Sequence, residues 1–102
     1  MTLTHLEFHV LLALAEGPLH GYAIMQDIAE HTAGQLTIGP GTLYSTIKRF
    51  LRDGLVEETA ADSDRRRCYR LTRRGRAALS EEANRLNALV RVARQRGALG
   101  TS

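Results

Sequence analysis

Apolar positions recur along this chain in a way that separates helices from strands before any composition is counted. Thr4 stands three residues before Glu7, the spacing of a capping box, and Leu6, Val10, Leu11 and Leu14 follow at helical intervals. A first helix is therefore expected, stopped by Gly17-Pro18. A second begins near His20 or Gly21, buries Tyr22, Met25, Ile28 and Ala29, and runs out near Ala33-Gly34. The alternation in Gln35-Leu36-Thr37-Ile38 predicts a brief strand. A third helix spans roughly residues 40 to 53: Pro40 suits its first turn, Leu43, Ile47, Phe50 and Leu51 form its stripe, and Gly54 stands where a left-handed cap belongs.

Two short strands follow, Leu55–Thr59 and Arg66–Thr72, around the polar turn from Ala60 to Arg65. Thr72 caps a last helix from Arg73 to Gln95, along which Leu79, Ala83, Leu86, Val90 and Ala93 recur at alternating steps of four and three. Such a seam is too short for a stable isolated coiled coil but suits docking on another helix. The expected fold class is mainly α with a small β-hairpin, in the order helix, helix, helix, strand, strand, helix. Three helices and a hairpin make the winged helix-turn-helix plan. Residues 1–76 would form the winged domain, 77–96 a C-terminal dimerisation helix and 97–102 a flexible tail.

Charge sharpens this picture. The net charge of +3 is unevenly spread: residues 1 to 47 hold no Lys or Arg and four acids, whereas the remainder holds 14 basic and 7 acidic residues. Thirteen of the basic residues are Arg, and seven lie between Arg65 and Arg76 with no acid among them. Arginine's planar fork suits phosphate, so the hairpin is the expected phosphate contact through Arg65, Arg66 and Arg67. Opposite the stripe of the third helix lie Gly41, Ser45, Lys48, Arg49 and Arg52, with Thr42 and Tyr44 on the flanks. Thr42, Tyr44, Ser45, Lys48 and Arg49 are the candidate groove contacts on that helix.

Other chemistry is weakly supported. Gly39-Pro40-Gly41-Thr42 has the look of a phosphate loop but lacks the Lys-Ser/Thr ending and the preceding strand, so it reads as a helix start. His5 and His9 have metal-pair spacing without a third ligand, so no metal or other cofactor is expected. The single cysteine, Cys68, excludes an internal disulfide and a cysteine zinc site, and reads as a small strand residue. No nucleophile, base and orienting group recur together, so an enzyme is not expected. The longest apolar run, Val10–Ala15, is far short of a membrane span and no basic leader precedes it, which predicts a cytoplasmic protein without a membrane partner.

The runs Leu12-Ala13-Leu14-Ala15-Glu16-Gly17-Pro18-Leu19-His20-Gly21-Tyr22, Gly39-Pro40-Gly41-Thr42-Leu43-Tyr44, Asp53-Gly54-Leu55-Val56 and Arg66-Arg67-Cys68-Tyr69-Arg70-Leu71-Thr72-Arg73-Arg74-Gly75 together resemble the PadR family of bacterial transcriptional regulators, over residues 3 to 80. The resemblance implies a homodimeric repressor bound to double-stranded operator DNA, with a small-molecule effector as a further candidate partner. Its third helix would read the operator, its wing would touch the backbone, and Leu79, Ala83, Leu86, Val90 and Ala93 would assist dimerisation. The chain resembles the short subgroup. It departs from the family at Ser45, where many members carry Pro, and at Cys68, where an aromatic or small residue is common. It has no Trp, so the ligand stacking that some drug-sensing members perform on a Trp is excluded. Two rival readings are a ligand- or metal-responsive sensor acting between the first and last helices, and a winged-helix module for protein or RNA.

Overall fold

The computed structural model describes residues 2–59 and 67–100. In chain order these form α1 (His5–Ala13), β1 (Leu19–His20), α2 (Gly21–His31), α3 (Pro40–Asp53), β2 (Val56–Thr59), β3 (Cys68–Leu71) and α4 (Arg73–Gln95). The capping box forms: the Glu7 amide donates to Thr4 Oγ1 at 3.2 Å, and Glu7 Oε1 accepts the Thr4 amide at 2.8 Å. α1 ends at Ala13, before Gly17-Pro18, because the Leu14 and Ala15 amides tighten onto the Leu11 and Leu12 carbonyls, both at 3.1 Å. The chain then enters a two-residue strand, β1, too short to show any alternation in sequence.

β1 makes the sheet three-stranded, in the antiparallel order β1-β3-β2, where the pattern predicted only a hairpin. Leu19 pairs with Tyr69 and His20 with Cys68, while Val56 pairs with Leu71 and Thr59 with Cys68. The wing is thereby tied to the start of α2. His20 also caps α2, its Nδ1 accepting the Ala23 amide at 3.2 Å.

Gln35–Ile38 is not a strand. The Leu36 amide donates to Thr32 Oγ1 at 3.1 Å, and the same hydroxyl bonds the Ile28 carbonyl at 2.8 Å, so the segment's polar groups fold back on the end of α2. Its alternation records Ile38 buried and Leu36 half-buried against the core. In α3, Leu43, Ile47 and Phe50 are buried as expected, but Leu51 is 39% exposed and Thr46 lies inside. Thr46 is tolerated there because its hydroxyl bonds the Thr42 carbonyl at 2.9 Å. Gly54 closes the helix at φ 75°, the left-handed region that glycine enters without a Cβ penalty.

The core joins α1, α2, α3 and the wing around Val10, Leu11, Leu14, Ile24, Ile28, Leu43, Ile47, Phe50 and Leu55, each 2% exposed or less. Full burial of each larger side chain contributes about 1.5–3 kcal/mol. α4 is capped by Thr72, whose Oγ1 accepts the Gly75 amide at 3.0 Å and donates to the Gly54 carbonyl at 2.6 Å. Its first turns dock on the core through Gly75 and Leu79. Leu79 is thus occupied within the chain's own core, and the rest of the expected seam lies beyond it. Ala83 and Val90 are exposed, while Leu86 and Ala93 are half-buried. Leu89, 53% exposed, lies on the same side and extends the stripe. Glu82, buried among them, is paired with Arg85, the Nε–Oε1 distance being 3.0 Å.

Candidate nucleic-acid interface

The residues opposite the buried side of α3 form the centre of the candidate interface. Gly41, Ser45, Lys48 and Arg52 lie along that line at 100° per residue, all exposed. Lys48 has no acidic neighbour in pairing distance among the described residues, and Arg52 has a loose one in Asp53 at 3.5 Å. Thr42 and Arg49 occupy one flank. Arg49 is engaged: its Nη2 is ion-paired with Glu7 Oε2 of α1, whose other oxygen holds the Thr4 amide. Burial pushes the Glu7 carboxyl up, but the Thr4 hydrogen bonds and the Arg49 guanidinium outweigh it and hold the group below the usual carboxylate range.

Tyr44 occupies the other flank and faces a cleft of about 190 Å³ lined by His20, Gly21, Tyr22, Tyr44, Arg67 and Tyr69. All three tyrosines of the chain meet here. Tyr22, expected in the core, is instead 58% exposed and lines the cleft between the start of α2, Tyr44 of α3 and the wing. Tyr44 lies close over Gly21: a Cβ there would stand 2.3 Å from the Tyr44 hydroxyl, so the exposed phenol would have to turn aside. Tyr69 is 5% exposed, and burial, followed by the Glu58 charge, raises its pKa, which keeps the phenol a neutral donor. Because His20 Nδ1 is used as an acceptor in the cap, its proton resides on Nε2. The cleft therefore collects hydroxyl, imidazole and guanidinium groups near the start of α2, the chemistry that receives a phosphate oxygen.

On the wing, Arg70 pairs with Glu57 at 2.7 Å, directly opposite in register, and Arg67 pairs with Glu58 at 3.3 Å. Arg70 on β3 and Arg67 just before it are thus matched by acids on β2 that the arginine count alone passes over. Both pairs are open to water, so the net attraction within each is of order 0–1 kcal/mol and a phosphate can replace the carboxylate. Arg65 and Arg66 lie outside the described residues. Cys68 is half-buried in β3 between His20 and Thr59.

His5 and His9 stack edge to face on α1 with ring centroids 4.6 Å apart, and among the described residues no three His, Cys, Asp or Glu groups converge as metal ligands. Burial, then the neighbouring His5 and His31, lower the pKa of His9. The Asp27 carbonyl and carboxylate, 2.9 and 3.2 Å away, raise that of His31. A proton NMR titration should accordingly find His31 releasing its proton at higher pH than His9. The signs oppose each other in stability. His9 binds its proton more readily unfolded, so its contribution falls as pH drops below about 6.5. The proton on His31 favours the folded state, and that gain is lost as pH rises through its folded value.

Residues 10–81 match the family described as the transcriptional regulator PadR-like family. The chain is 39% identical over 85 residues to the transcriptional regulator Rv3488 of Mycobacterium tuberculosis, covering 81% of this chain and 77% of that protein. Among solved structures, a transcriptional regulator from Clostridium thermocellum, Cth-833, is similar with a TM-score of 0.76 at 25% identity, over 89% of this chain and 88% of that one. Bacillus subtilis PadR in complex with operator DNA shares the fold with a TM-score of 0.65 at 22% identity, over 78% of this chain and 47% of that one. Among the described residues no helix is long and apolar enough to cross a membrane.

Proposed function

The chain belongs to the PadR-like family of transcriptional regulators, and from that premise we propose that it is a cytoplasmic, homodimeric repressor that binds a two-fold operator and is released by a small-molecule effector. It is a regulator and not an enzyme. Residues 1–76 serve as the DNA-binding unit, 77–96 as the dimerisation helix and 97–102 as a tail. The observation that carries the reading is the outer side of α3, where exposed Ser45 and Lys48, the latter without an acidic partner among the described residues, share a helix with Tyr44 of the donor-lined cleft. Ser45 and Lys48 enter the groove. Thr42, Tyr44, Arg67 and the sequence-assigned Arg65 and Arg66 hold the phosphates. The operator complex of Bacillus subtilis PadR supports the same use of this fold.

Duplex binding measured against salt tests the proposal, because each neutralised phosphate contributes about −0.9 to the log–log slope. Arg65→Ala with Arg66→Ala should weaken binding to every duplex and flatten the slope by about one unit per lost contact per subunit. An unchanged slope would remove the wing from the interface. Ser45→Ala should instead change sequence preference, at about 1–3 kcal/mol per lost base contact. A reporter whose output rises when the chain is deleted supports repression, and a fall makes the chain an activator.

A further inference from the structure

Four arginines of α3 and the wing, Arg49, Arg52, Arg67 and Arg70, are held by carboxylates of two kinds. The partners of Arg52, Arg67 and Arg70 are Asp53, Glu58 and Glu57, whose side chains are 38%, 43% and 49% exposed. Water can take over each of these carboxylates when its arginine leaves for a phosphate, so those pairs exchange freely. Glu7 is different. Its side chain is 16% exposed, and its carboxylate is pinned at the start of α1 by the Thr4 amide on Oε1 while Oε2 meets Arg49. Withdrawing Arg49 would leave a shielded, fixed charge without its partner, which is costly in proportion to the water it cannot recover.

Arg49 nevertheless stands next to Lys48 and one turn from Ser45, at the edge of the proposed groove contact. We infer that Glu7 is a positioning residue that acts as an internal substitute for phosphate, holding Arg49 on α1 and out of the DNA contact set. The inference rests on the DNA-binding reading above. The capping box and the recognition helix then share one carboxylate: Glu7 fixes the angle between α1 and α3 and at the same time limits how many phosphates the recognition helix engages. Arg49 becomes a strut and not a base reader, which revises the role its place on the outer side of the helix predicts.

Glu7→Gln separates the two functions, since glutamine still closes a capping box but releases the guanidinium. Duplex binding against salt is measured for the full-length wild type, Glu7→Gln, Arg49→Gln and the double variant. Glu7→Gln should steepen the log–log slope by about 0.9 per subunit, one added phosphate contact. Arg49→Gln alone should leave the wild-type slope unchanged, and in the Glu7→Gln background it should remove the added increment. A slope that already flattens in Arg49→Gln overturns the inference, because Arg49 then touches phosphate in the wild type. An equal steepening with and without Arg49 overturns it also, since Glu7 would then act only as a repelling charge. Should Glu7→Gln not fold, Arg49→Gln by itself decides on the same criterion. A wild-type chain that binds no duplex fails the DNA-binding reading itself and takes this one with it, an outcome visible in the wild-type titration alone.

Discussion

Gly75→Ala should destabilise the folded chain by roughly 3 kcal/mol, the upper end of what overpacking usually costs. A Cβ at residue 75 would stand 1.9 Å from the Leu55 carbonyl oxygen and 2.9 Å from its carbon. Both are backbone atoms, so no side chain can turn aside to make room. The backbone is itself fixed: the Leu55 carbonyl accepts the Thr72 amide at 3.1 Å, the Leu55 amide donates to the Phe50 carbonyl at 2.9 Å, and the Leu55 side chain is 1% exposed. α4 must lift away from the junction of α3 and β2, loosening the Thr72 hydroxyl from Gly54 and Leu79 from the core. For a domain of this size the loss corresponds to a drop in Tm on the order of 10–20 °C. Gly41→Ala is the matched control, since it lies in α3 with nothing within 4 Å of its would-be Cβ, and it should be neutral or stabilising by up to about 1 kcal/mol. Equal melts for the two variants would mean that α4 does not dock through residue 75.

The two helix starts written with side-chain oxygens, Thr4 and Thr72, were legible because a hydroxyl three residues ahead of its partner amide is a local signal. Gly54 was legible for the same reason, as the left-handed stop of α3. The features that pattern reading misplaced are those fixed from a distance. β1 exists only because β3 lies beside it, and His20 is a cap of a type that local preference does not favour. Gln35–Ile38 looked like a strand because burial of Leu36 and Ile38 has the same period whether or not a neighbouring strand supplies a ladder. In the interface, the outer side of α3 followed from its period, whereas the engagement of Arg49 by Glu7 joins residues 42 positions apart and has no sequence signature. Charge counting failed similarly on the wing: it registered Arg67 and Arg70, but the register that sets Glu57 opposite Arg70 belongs to the sheet.

Leu86→Asp together with Val90→Asp should yield monomers, or an unfolded chain where folding requires the dimer, with loss of operator binding in either case. α4 has 23 residues, about 34 Å of helix, in a molecule whose longest extent is 49 Å. Only its first turns are used by the protomer's core, where Gly75, Leu79 and Glu82 are buried. Beyond Arg85 the same side continues as half-buried Leu86, exposed Leu89 and Val90, and half-buried Ala93. An apolar stripe that outruns its own core stands in water unless another surface covers it, and a second α4 presents the same stripe in return. Two aspartates per protomer would bring like charges into that contact at a cost of several kcal/mol where they are neither hydrated nor paired. A monomer carries one α3, and a two-fold operator needs two of them about 34 Å apart, so affinity should fall with assembly. Leu86 is half-buried, so Leu89→Asp, at a position 53% exposed, provides the variant that spares the chain's own fold. Sedimentation and operator titration of wild type and both variants decide the matter: dimers that persist at full operator affinity in both would mean that the stripe on α4 is not the assembly surface.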